Sequence, residues 1–221
     1  MFSWMGITKV GGSTIMLPAA VAIAAWLLAA RAQRLFWAWC LLFGSALLLV
    51  AASKIAFVGW GIGIDELDFT GFSGHAMRSA AIIPLLFYFL FQQKTTMTRQ
   101  LAAVSGMAFA ALISLSRVLL DFHSVSEALS GWVLGSAVSL AFIWCAESLP
   151  KPVLNRTLMG VSFVLLLAAS FARPIPTQLL IDKAALLLSG HSALAAESRR
   201  HAAEKCCSPA PNQPAPQGNT P

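Results

Sequence analysis

Six uncharged, apolar runs recur along the chain, at residues 10–30, 35–53, 79–93, 100–116, 128–146 and 157–172. They lack the strict two-residue alternation of a half-buried strand and are rich in alanine and leucine, so they read as helices. A bilayer core takes roughly 20 apolar residues per crossing. The third, fourth and sixth runs reach that length once flanking residues are added. The pattern predicts an all-α fold, a polytopic membrane helix bundle of about six transmembrane helices. Their starts are expected near Val10, Leu35, Gly74, Gln100, Ser126 and Arg156. Pro174-Ile175-Pro176 stops the last span, which sets a transmembrane domain at residues 1–173. Residues 174–194, with Asp182 and Lys183 in a short apolar stretch, read as an interfacial helix. Residues 195–221 are polar and proline-containing, a composition that buries too little apolar surface to fold.

Composition sharpens the solvent assignment. Of 221 residues, 57% are hydrophobic and 11% charged, against about 25% charged in soluble domains. The excess of basic residues (formal net charge +6) belongs to loops rather than to a nucleic-acid face. Arg31 and Arg34, Lys94 and Arg99, and Lys151 and Arg156 mark three alternate connections as cytoplasmic. The connections with Asp65, Glu66, Asp68 and His75, and with Asp121, His123 and Glu127, then face the other side. In a bacterial inner membrane that side is the periplasm. Trp4, Trp26, Trp37 and Trp60 are expected as interface anchors. Cys40 and Cys145 lie in apolar runs, and the Cys206-Cys207 pair has no partner at metal-ligand spacing.

Ionisable groups beside spanning helices are costly and point to function. Here Lys54, Ser73-Gly74-His75, Ser116-Arg117, and His123 with Glu127 all fall on one predicted side of the membrane. His123 and Glu127 are four apart and share a helix face. A carboxylate there can fix one imidazole nitrogen and leave the other free to attack. Arg117 supplies a planar cation suited to a phosphoryl group. Ser73 and Gly74 precede a helix amino terminus, which favours an anion. Lys54 adds a point charge, and His75 is a proton donor for a leaving oxygen.

These residues carry a resemblance. Ser116-Arg117, five residues, His123, three residues and Glu127 resembles the third motif of the type 2 phosphatidic acid phosphatase and vanadium haloperoxidase superfamily, Ser-Arg-x5-His-x3-Asp. Phe72-Ser73-Gly74-His75 is similar to its second motif, Pro-Ser-Gly-His. Lys54 stands where its first motif, Lys-x6-Arg-Pro, begins, but Gly61-Ile62 replaces Arg-Pro. The resemblance spans roughly residues 10–172. It implies His123 as nucleophile, Glu127 as its orienting group and His75 as general acid, with Lys54, Ser73, Gly74 and Arg117 on the phosphoryl oxygens. Arg78, one turn after His75, is the candidate for the missing arginine. No metal and no cofactor are implied. The implied substrate is a membrane lipid bearing a phosphate or diphosphate, which is hydrolysed or transferred. The alternatives are a non-catalytic membrane protein retaining the fold, and a vanadate-dependent haloperoxidase, which the six spans disfavour.

Overall fold

The computed structural model describes residues 4–169, apart from Asp65, Leu67 and Lys151, together with Ile181, residues 183–185 and Leu187. The expected interfacial helix at 174–194 lies largely outside the described residues, and the tail at 195–221 wholly so. The helices are α1 (Trp4–Val10), α2 (Ser13–Ala29), α3 (Gln33–Trp60), α4 (Gly74–Leu90), α5 (Thr96–Leu119), α6 (Val125–Ser148) and α7 (Arg156–Ala169). Among the described residues the sole β pairing is an isolated bridge between Ile64 and Phe69. Among the described residues four helical stretches are long and apolar enough to cross a bilayer: Trp4–Ala29, Gln33–Trp60, Thr96–Leu119 and Val125–Ser148. The third and sixth expected spans are the shorter apolar helices Gly74–Leu90 and Arg156–Ala168. The protein is an integral membrane helix bundle, as the apolar runs predict.

The first span departs from its expected start. Helix already begins at Trp4, ahead of Val10, and a turn at Gly11-Gly12 divides the stretch into α1 and α2. Trp26 is also not an interface anchor. It is 1% exposed, its Nε1 donates to Ser162 Oγ on α7 at 3.1 Å, and it stacks on Phe163. A long apolar run shows no periodicity that separates lipid-facing from protein-facing positions, so its inward tryptophan is not distinguished by sequence.

Helix α4 is the hub. It is 17 residues long, about 26 Å at the helical rise, and most of its side chains are buried between α5 and α6. Without a hydrophobic drive between helices in lipid, close backbone approach through small residues holds such a bundle. Gly131 and Gly135, one turn apart on α6, provide it. A Cβ at Gly131 would lie 2.6 Å from the Ser73 carbonyl oxygen, and one at Gly135 2.1 Å from that of Met77. The α6 backbone therefore rests on the start of α4.

The helix ends also set two separate polar levels. Arg34 and Lys54 are 20 positions apart on α3, about 30 Å along its axis. Arg99 opens α5 and Arg117 closes it. At the far level Arg99 pairs with Glu147 at 3.0 Å, and Glu147 accepts from Tyr88 Oη at 2.7 Å. Lys54, His75, Arg117 and His123 belong to the near level.

Candidate active site

The connection from α5 to α6 is short because its turn is a tight cap. Phe122 N donates to the Arg117 carbonyl at 3.0 Å and Asp121 N to that of Val118 at 3.0 Å, with Asp121 in the left-handed region at φ 54°. This pair of bonds is the Schellman arrangement. It brings the Phe122 ring over the Arg117 guanidinium, 4.3 Å from centroid to Cζ. Ser124 then caps α6 by accepting from Glu127 N at 3.3 Å. The residues between Arg117 and His123 thus end one helix and deliver the next.

The Glu127 side chain does not turn back to its own helix cap. One oxygen, Oε2, accepts from His123 Nδ1 at 2.6 Å. The other, Oε1, accepts from Thr70 N at 2.8 Å and also from Thr70 Oγ1. A carboxylate accepts only, so Nδ1 carries the proton and Nε2 keeps its lone pair. Burial pushes the His123 pKa below the ordinary histidine value. Its bond to Glu127 works against that shift, while Lys54 and Arg117 reinforce it. The imidazole is therefore neutral at pH 7 and held by one edge.

The second motif enters along α3. Gly71 has φ +142°, a region L side chains rarely adopt, and a Cβ there would stand 3.2 Å from Lys54 Cγ. Phe72 N donates to Ser53 Oγ at 3.2 Å, and Ser73 N to the Glu127 carbonyl at 3.1 Å. These bonds tie Lys54, the Ser73-Gly74-His75 segment and Glu127 into one unit. His75, the second residue of α4, interacts electrostatically with Arg117, Arg78, His123 and Lys54. The fold thus gathers the whole set expected from sequence: Lys54, Ser73, Gly74, His75, Arg78, Arg117, His123 and Glu127.

Three of these side chains keep a buried polar atom without a partner among the described residues: Ser73 Oγ, Arg78 Nε and Arg117 Nε. Position 61, where the resemblance expects arginine, is instead the left-handed cap of α3, with φ 70° at Gly61.

Three residues of this neighbourhood were not singled out in the sequence. Thr70 holds Glu127 from 57 positions away, and Thr8 on α1 accepts from Arg117 Nη1 at 3.2 Å from 109 away. Phe122 packs on Arg117. Only Phe122 had a local signal, its place in the spacer of the third motif.

Comparison with known proteins meets this geometry. The family model of the PAP2 superfamily matches residues 60–150, which hold the second and third motifs. Phosphatidylglycerophosphatase B of Bacillus subtilis (strain 168) is 32% identical over 136 residues, 59% of this chain and 67% of that protein. The chain belongs to the PAP2 superfamily. A second similar protein, from Klebsiella pneumoniae, is described as an uncharacterized 22.5 kDa protein in the cps region. It is 41% identical over 151 residues, 68% of this chain and 72% of that one. No solved structure gives a significant match. Within the PAP2 frame, Lys54 and the Gly61 cap lie ahead of or at the edge of the matched segment, where this chain departs from the family's first motif.

Proposed function

We propose that this PAP2 protein is a metal-independent membrane phosphatase that hydrolyses or transfers the phosphate of a lipid phosphate or diphosphate through a phosphohistidine. The observation that carries the reading is the His123 ring, pinned at Nδ1 by Glu127 and surrounded by Lys54, His75 and Arg117. In this reading His123 Nε2 attacks phosphorus, and the bond to the leaving oxygen breaks. His75 gives that oxygen its proton. Water then attacks the phosphohistidine, His75 takes the water's proton, and inorganic phosphate leaves. Glu127 stabilises the charge that His123 acquires. Lys54, Ser73 Oγ, the free N–H groups at Gly74 and Arg117 hold the phosphoryl oxygens.

The cations around His75 suit this cycle. A phosphoryl dianion arriving among them favours the protonated ring, since an opposite charge nearby stabilises the charged form. General acid and substrate therefore arrive together. The name of the Bacillus relative favours a glycerophospholipid phosphate within the substrate class.

The test is a phosphate-release screen of the purified protein in detergent, across phosphatidylglycerol phosphate, phosphatidate, polyprenyl diphosphate and lipid A phosphates. Release from at least one of them is expected. Because only neutral His123 attacks and its pKa is lowered, its acid limb in kcat/KM should lie below about pH 6.5, while the proton that His75 takes up with substrate makes kcat/KM fall as pH rises. An acid limb above that value contradicts a neutral, buried nucleophile.

The alternation of basic connections supports a bacterial inner-membrane location with the site on the periplasmic face. A periplasm-active reporter fused after Asp68 should be active and one fused after Lys94 silent; the reverse pattern refutes this orientation.

A further inference from the structure

Arg78 is an anomaly for a residue inside a membrane bundle. It is 8% exposed, its Nε has no hydrogen-bond partner, and no carboxylate pairs with it among the described residues. Its guanidinium folds back onto the start of its own helix, where a Cβ on Gly74 would lie 3.0 Å from Nη1. Glycine at 74 is what admits it. Arg117 is near enough to repel it electrostatically, and Arg117 Nε is orphaned too. Ser73 Oγ, fully buried and unpartnered, sits beside the same helix start. The nearby carboxylate, Glu127, is engaged by His123 and Thr70. A buried guanidinium with no carboxylate partner among the described residues is costly, the more so beside a second, half-buried one, and removing it would ordinarily stabilise a protein.

We propose that Arg78 and Arg117 form a two-guanidinium cradle for a phosphate dianion, so that the resting protein binds inorganic phosphate at the site that binds the lipid's phosphoryl group. The proposal rests on the hydrolytic reading for its substrate arm only. Guanidinium forks match phosphate oxygens at two points, and Ser73 Oγ and the α4 amino terminus complete the donor set. The bound dianion supplies the counter-charge that the other described residues do not give Arg78. Inorganic phosphate should consequently inhibit turnover and raise the unfolding temperature.

The experiment uses the full chain in detergent, with wild type, Arg78→Met, Arg78→Lys and, as a far-level control, Lys94→Gln. One arm measures the thermal midpoint in phosphate-free buffer and with added inorganic phosphate. The other measures the KM for a lipid phosphate and the Ki of inorganic phosphate. Wild type and Lys94→Gln should gain stability from phosphate. Arg78→Met should be at least as stable as wild type without phosphate and gain little from it, with phosphate bound about 10- to 100-fold more weakly. Arg78→Lys, which keeps the charge and loses the fork, should fall between. A parallel rise in KM is expected, because one site takes both ligands, and a raised Ki with an unchanged KM overturns the shared site. Wild-type phosphate affinity in Arg78→Met overturns the proposal, and if that variant does not fold, the same result in Arg78→Lys does so. The thermal arm needs no turnover. An Arg78-dependent phosphate effect in a protein that hydrolyses no lipid would leave the cradle standing and remove the hydrolytic reading.

Discussion

Replacing His123 by alanine is expected to lower phosphate release by at least about 10⁴-fold, the scale seen when a covalent nucleophile is removed from a preorganised site. The reason is local. Among the described residues Ser73 Oγ has no hydrogen-bond partner to act as its base, and His123 is the ring whose Nδ1 is committed to a carboxylate, leaving Nε2 to attack. Lys54, Ser73, His75 and Arg117 would persist in the variant, so it should still bind inorganic phosphate. Loss of turnover with retained binding separates a missing nucleophile from a collapsed site. Equal phosphate release from wild type and His123→Ala on every lipid would leave the non-catalytic alternative in place.

Glu127→Gln should be nearly as severe, about 10⁴-fold in kcat, although the amide has the size of the acid. Thr70 sets the outcome. Its backbone N–H and hydroxyl both donate to Oε1 of Glu127. In the variant those two donors select the amide oxygen for that position. The amide NH₂ then faces His123 Nδ1, which must accept, and the ring proton moves to Nε2. The attacking lone pair is lost through a tautomer change, without any change in packing. Glu127→Asp keeps the carboxylate and restores the residue of the resembled motif, so its defect should stay within about tenfold, less than one charge-assisted hydrogen bond. Steady-state kinetics on the three proteins decide this. A Glu127→Gln enzyme with near wild-type kcat would mean that the carboxylate does not fix the tautomer.

The sequence carries the bundle because apolar runs of membrane length report directly on the solvent. It is blind to the corner at Gly11-Gly12 and to the inward turn of Trp26, since uniformly apolar helices do not reveal which side meets protein. The chemical residues were legible for a different reason. Arg117, His123 and Glu127 are joined by a helix cap and one helical turn, so their separations are fixed by local geometry. Ser73, Gly74, His75 and Arg78 likewise occupy the first turn of α4 and its cap. Thr70 and Thr8 have no such short-range relation to the groups they hold. Thr70 sits next to the acidic 65–68 segment and looks like part of a solvated loop. Its role exists only once Gly71 folds that loop against α3 and α6 meets the start of α4.

The central claim is that His123 becomes phosphorylated, and trapping the adduct tests it most directly. The purified protein is mixed with a lipid phosphate that it hydrolyses, quenched in alkali, where phosphohistidine survives, and digested for mass spectrometry. The account predicts one phosphoryl group on the peptide containing His123, removed by acid and absent from His123→Ala. A phosphoryl group on any other residue, or steady turnover with no phosphorylated peptide at all, would contradict it.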